Sequence, residues 1–147
     1  MDWGLAKRNH PIRFIDAQIG IRLFGARWRL SSCGAVYLAD KNNEMFKHHS
    51  PCSDPYKYPL NLYWQSWFEK YSLHTNKVIK EFKKKLPDTK ITVGQSKTNK
   101  DRWRGSVHFD DGKVVRAVST TRGSAICLAI VKVLILAEKK KKKSKKK

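Results

Sequence analysis

The chain has 147 residues, with 32 Lys and Arg against 12 Asp and Glu, a formal net charge of +20. Aromatic residues make up 11%, including five Trp, five Tyr and six Phe, which is too many rings for a disordered solvating polymer. The length excludes a large multi-domain enzyme and suits a small basic folded protein with one core. Residues 139–147 are all Lys except Ser144, which gives eight cations and no acid. Without them the body still holds 24 basic and 12 acidic residues, so 24 − 12 = +12. A run of like charge repels itself, so residues 139–147 read as a disordered poly-Lys tail behind a single domain over 1–138.

Pro11 opens a helical pattern in which Ile12, Ile15, Ile19 and Leu23 recur at spacings of three and four, and Gly25 supplies a stop. Arg27 to Leu30 alternates like a strand. A turn at Cys33-Gly34 leads to a second strand from Ala35 to Leu38, then a turn at 40–43 and a third strand candidate from Glu44 to Lys47. Residues 48–58 contain Pro51 and Pro55 and read as an ordered loop. From Pro59, the positions of Leu60, Trp64, Trp67, Phe68 and Tyr71 predict a helix with one aromatic face. The spacing predicts another helix from Thr75 to Leu86, with Val78, Ile79, Phe82 and Leu86 on one side and Lys77, Lys80 and Lys84 opposite.

The period then changes to two. Residues 90–96, 102–109 and 113–119 read as three strands, the last two joined by the hairpin signal Asp110-Asp111-Gly112. In the middle strand Trp103, Gly105, Val107 and Phe109 share one face, and Arg102, Arg104 and His108 share the other. Thr120 or Thr121 can cap a final helix running to about Glu138. This helix is apolar almost all round, so it is either central to the fold or an oligomer contact; the first is preferred. The predicted fold class is α+β, a layered α/β/α sandwich-like domain with antiparallel strands and a Lys-rich insert at about 60–86.

Residues 14–20 and 25–28, then Trp103, the Asp110–Gly112 hairpin and residues 122–130 (RGSAICLAI), resemble small tailed-phage proteins of the phage ABA-sandwich type. The loop Ser50-Pro51-Cys52-Ser53-Asp54-Pro55 resembles the Pro-Cys loop of the related NinX-like phage proteins. The resemblance covers about half of the chain. It implies a layered fold and a phage origin but no reaction, and the Lys-rich insert and tail depart from the pattern. The order helix, three strands, helix is also similar to double-stranded-RNA-binding domains. Their Lys-rich start of the last helix is reduced here to Arg122.

No apolar leader is visible in residues 1–10, and the longest apolar stretch, 125–137 interrupted by Lys132, spans about 20 Å as a helix against a bilayer core of about 30 Å. The reading is a cytoplasmic protein of the infected cell, with no membrane partner and with reduced thiols at Cys33, Cys52 and Cys127, the last of them buried. Cys33, His48, His49 and Cys52 can be imagined around zinc, but they lack two close ligand pairs, so no metal is assigned. Cys52 has no base at a defined spacing, and neither GxxxxGK[ST] nor GxGxxG occurs. No cofactor and no catalytic residue is assigned, and the chain reads as a non-enzyme. The densest cationic stretch is 76–104. Its Lys77, Lys80, Lys84, Lys97, Lys100, Arg102 and Arg104 are the candidate phosphate contacts of a nucleic-acid-binding face with little base specificity. Two alternatives stay open: sequestration of a small anionic nucleotide by rings and cations, Tyr63 being an exposed ring, and an adaptor that binds an acidic host protein.

Overall fold

The computed structural model describes residues 7–43 and 49–145, with side chains described as far as residue 142. The third strand candidate, 44–47, lies outside the described residues, as does His48. The chain is α+β with two separate three-stranded antiparallel sheets. Where the sequence suggests one domain over 1–138, the contacts gather into two compact units, Met1–Lys70 and Tyr71–Lys147.

In the first unit, helix α1 spans Pro11–Leu23 with its proline in the first turn, where the missing N–H costs no helical bond. It stops at Gly25, whose φ of +72° turns the chain so that the Ala26 N–H reaches the Gly20 carbonyl at 2.9 Å. Strands β1 (Arg27–Leu30), β2 (Val36–Ala39) and the two-residue β3 (Ser50–Pro51) form a sheet in the order β2-β1-β3. All four residues of β2 are buried.

Residues 59–70 are not the helix that their ring spacing suggests. They run beside β2. The Val36 N–H bonds to the Pro59 carbonyl (2.9 Å), Asn61 N–H to the Val36 carbonyl (2.8 Å), and Asp40 N–H to the Trp67 carbonyl (3.0 Å). Parallel bridges at Val36–Leu60 and Ala39–Trp67 mark the same path. Pairing with β2 satisfies these backbone groups in place of an internal helical ladder. Leu60, Trp64 and Phe68 still point into the core, joining Ala17, Ala26 and β2, so the apolar spacing records burial without recording a helix.

Arg13 fastens this segment. Its guanidinium donates to the carbonyls of Gln65 (2.6 Å), Phe68 (2.8 Å) and Glu69 (3.1 Å), pairs with Asp16 at 2.8 Å, and lies 4.0 Å over the Phe68 ring.

In the second unit, a short 3-10 turn at Tyr71–Leu73 leads into α2 (Thr75–Lys85), which buries Val78 and Phe82 completely. Strands β4 (Lys90–Gln95), β5 (Trp103–His108) and β6 (Val114–Ser119) form the second sheet in the order β4-β5-β6. The turn between β5 and β6 places Gly112 at φ +90°, in line with the Asp-Asp-Gly signal.

Helix α3 (Arg122–Lys145) starts with a reciprocal cap. The Ser124 N–H donates to Thr121 Oγ1 (3.1 Å), and the Thr121 N–H donates back to Ser124 Oγ (3.2 Å). The helix packs on β5 and β6 and also meets α2 and the 71–73 turn. Residues 124–127, 129–131, 133 and 134 are buried, Cys127 among them, which explains its nearly uniform apolar character. The helix then continues through 139–145, where the sequence suggested disorder. Lysine is a good helix former, and its charge is favoured at the negative C-terminal end of the helix dipole, so self-repulsion is opposed.

Candidate nucleic-acid interface

The register of the second sheet sets its surface chemistry. Gly105 faces α3 closely: a Cβ built there would lie 2.4 Å from the Ala125 carbonyl oxygen. Alternation puts Val107 and the neighbouring Ala117 on that covered side, and both are buried. The even positions of β5 therefore face the other way.

Three cross-strand rows make up this second face: Gly94–Arg104–Val118, Thr92–Ser106–Arg116, and Lys90–His108–Val114. Lys90, Thr92, Gly94, Arg116 and Val118 are exposed, while Arg104, His108 and Val114 are half-buried. Thr92 Oγ1 and His108 Nε2 share a hydrogen bond of 2.9 Å. The nine positions include three permanent cations and no acid.

The loop between β4 and β5 adds to one end of this face. Asn99 shapes it: its Oδ1 accepts the Asp101 N–H (3.0 Å) and its carbonyl accepts the Arg102 N–H (3.1 Å), while the Ser96 N–H closes onto the Arg102 carbonyl (2.9 Å). Lys97, Lys100 and Arg102 are exposed around that turn, with Asp101 between them. At the opposite end of the strands sit Asp110 and Asp111, with Lys113 Nζ 4.0 Å from Asp111. The sheet thus has its cationic excess at the β4–β5 end, while at the β5–β6 end Asp110 and Asp111 are balanced by Lys113 and Lys90.

The candidate residues fall on two surfaces. Lys97, Lys100, Arg102 and Arg104 come together on the sheet and its loop. Lys77, Lys80 and Lys84 are exposed on α2 as the helical wheel predicts, but α2 packs against α3, and α3 covers the side of the sheet opposite to Arg104. Lys84 is moreover paired with Glu81 at 2.8 Å. Lys90 and Arg116 are absent from the sequence-derived set; strand alternation marks Arg116, and only the register shows that it lies diagonal to Arg104.

In the first unit, His49 Nδ1 is hydrogen-bonded to the Tyr37 hydroxyl, and its carbonyl accepts Arg29 Nη1 at 3.1 Å. Burial raises the Tyr37 pKa, with the Arg29 charge opposing. Cys52 lines an open groove of about 500 Å³ together with Ile21, Ala26, Arg27, Trp28, Pro51 and Ser53. Cys33 stands apart in an exposed turn, where the Ser31 hydroxyl at 3.0 Å and the Ala35 backbone hold its thiol below the usual cysteine range. Among the described residues no three His, Cys, Asp or Glu side chains gather as a metal site, and no helix is long and apolar enough to cross a membrane. Tyr63 is exposed as expected, whereas Trp64, Phe68 and Tyr71 are buried.

An exposed thiol with a lowered pKa reacts first. Iodoacetamide at neutral pH is expected to label Cys33 before Cys52, and Cys127 only on unfolding, as read by peptide mass spectrometry. Ser31→Ala should slow labelling at Cys33; faster labelling of Cys52 in the native protein would contradict this order.

No family model, curated protein or solved structure matches this chain.

Proposed function

We propose that this chain is a small non-enzymatic accessory protein of a tailed phage, acting in the cytoplasm of the infected cell by binding nucleic acid through its cations. Kinship with the phage ABA-sandwich and NinX-like proteins, and their layered arrangement, belong to the same proposal. The observation that carries the binding reading is the group Lys97, Lys100, Arg102 and Arg104: none has an acidic partner among the described residues, and all are carried on one ordered loop and strand. The excess of +12 outside residues 139–147 supports it, because so large an imbalance in a small body attracts anionic partners. The α2 lysines add a second cationic surface that attracts phosphates without reading bases.

Binding to a mixed-sequence oligonucleotide should fall steeply with salt, each phosphate contact contributing about −0.9 to the slope of log K against log salt for a duplex. The triple substitution Lys77→Gln, Lys80→Gln, Lys84→Gln should flatten that slope by up to about three. An unchanged slope removes the stripe from the interface, and no binding even in dilute buffer ends the nucleic-acid reading.

A second reading draws on the groove in the first unit, where Arg27 and Trp28 stand together. A cation beside a ring suits the phosphate and base of a small nucleotide, and such a protein would sequester it as a counter-defence. A thermal-shift screen separates the two: stabilisation by mononucleotides supports sequestration, and stabilisation by oligonucleotides alone supports the interface.

A further inference from the structure

We infer that the β4-β5-β6 face opposite α3 is a docking surface for double-stranded DNA, with Arg104 and Arg116 as its central contacts and Lys90, Lys97, Lys100 and Arg102 at its two ends. This rests on the nucleic-acid reading above and assigns it a ligand form and a surface.

Charge complementarity comes first. The three rows hold Lys90, Arg104 and Arg116 with no carboxylate among them, and none of the three is engaged by an acid among the described residues. Thr92 and His108, bonded to each other, add a polar pair between the cations, while Ser106 at the centre is buried beneath its neighbours. Gly94 leaves the space beside Arg104 open, since a Cβ there would meet nothing within 4 Å.

The shape and chemistry of the face then choose among nucleic acids. Single strands are held mainly by bases stacking on exposed rings. The face offers only the half-buried His108 imidazole, which is hydrogen-bonded to Thr92: Trp103 alternates onto the α3 side, and the other β5 positions facing outward are Arg104 and Ser106. A duplex, which keeps its bases stacked on each other, needs no such platform. Three strands measure about 10 Å from first to last backbone, close to the B-DNA major-groove width of about 12 Å. The deep, narrow major groove of A-form RNA excludes side chains, so an RNA duplex meets this sheet only across its shallow minor groove, where the guanine O6 and N7 edges that suit guanidinium forks are out of reach. Arg104 and Arg116 carry forked guanidiniums suited to phosphates or to guanine edges, and Val118, 38% exposed, offers an apolar contact of the kind that thymine methyls accept.

The acidic β5–β6 turn gives a direction. Asp110 and Asp111 offset Lys90 and Lys113 at their end, so the β4–β5 end, with Lys97, Lys100 and Arg102 against Asp101 alone, attracts phosphates more strongly.

The test compares the full chain against a 20-bp DNA duplex, the RNA duplex of the same sequence and the single DNA strand, about 20 units long in each case to span two helical turns. The wild-type protein is expected to prefer the DNA duplex at least tenfold. Arg104→Gln with Arg116→Gln should weaken duplex-DNA binding roughly tenfold to a hundredfold, lower its salt slope by about two and abolish the preference. Arg116→Gln alone, at an exposed position, should give part of the loss with an unchanged melting temperature. The α2 triple substitution should weaken all three ligands alike and leave the preference intact. Equal binding of the three ligands by wild type, or a preference that survives the double substitution, overturns the sheet-face assignment while leaving the nucleic-acid reading in place. Binding to none of them overturns both.

Discussion

Gly123→Ala is expected to destabilise the protein by at least about 3 kcal/mol, with Gly105→Ala close behind. Neither glycine has positive φ; each is there because something else occupies the side-chain position. A Cβ on residue 123 would sit 1.8 Å from the Ser72 carbonyl oxygen, and one on residue 105 would sit 2.4 Å from that of Ala125. In both cases the obstacle is backbone. At 123 the first turn of α3 would have to lift off the 71–73 turn, and at 105 the helix would have to rise from the sheet. The displaced helix carries the buried residues from Ser124 to Leu134, so the strain is spread through the second core. Gly94→Ala is the control, because nothing lies within 4 Å of its would-be Cβ; it should stay within about 1 kcal/mol of wild type. Urea denaturation of the three variants checks this, and comparable loss in all three would show that close packing is not the cause.

Arg13→Met is expected to cost about 2–4 kcal/mol, because several buried acceptors lose a charged donor at once. Asp16 is 1% exposed at its side chain and Arg13 14%, so water does not readily take the place of the guanidinium. The substitution also strips donors from the carbonyls of Gln65, Phe68 and Glu69, which α1 otherwise holds in place. Arg13→Lys should recover only part of the loss, because an ammonium cannot fork toward three carbonyls and a carboxylate at once. The signal to follow is tryptophan fluorescence, since Trp64 and Trp67 belong to the fastened segment. A Met variant as stable as wild type would show that the cluster carries no energetic weight.

These two sites show where sequence reasoning stops. The strands at 90–119 are legible because alternation, a turn signal and a change of period agree. The lysine stripe of α2 is legible because a helix wheel is local. Residues 59–70 misled because one ring every three or four positions is equally compatible with a helix and with a chain pinned to β2 by Val36, Leu38 and Asp40. Those partners lie more than 20 positions away and leave no periodic trace. The Arg13 cluster is invisible for the same reason, as its acceptors are backbone carbonyls, which every residue has. At the candidate interface the odd–even split of β5 is readable, so Arg102 and Arg104 fall together from sequence alone. The separation of that face from the α2 stripe is a tertiary fact, settled by where α3 lies.

The final helix joins two very different materials in one rod. Up to Leu134 most of its side chains are interior, Arg122 and Lys132 being the exposed exceptions; from Glu138 to Lys142 they stand in solvent. Replacing the lysines at 139–142 by glutamine would therefore strip positive charge at little harm to the body, whereas polar substitutions within one further helical turn toward the N-terminus would start to empty the filling of the second unit. Charge and folding are governed by adjacent stretches of one element, with a sharp border between a dispensable fringe and an indispensable stem.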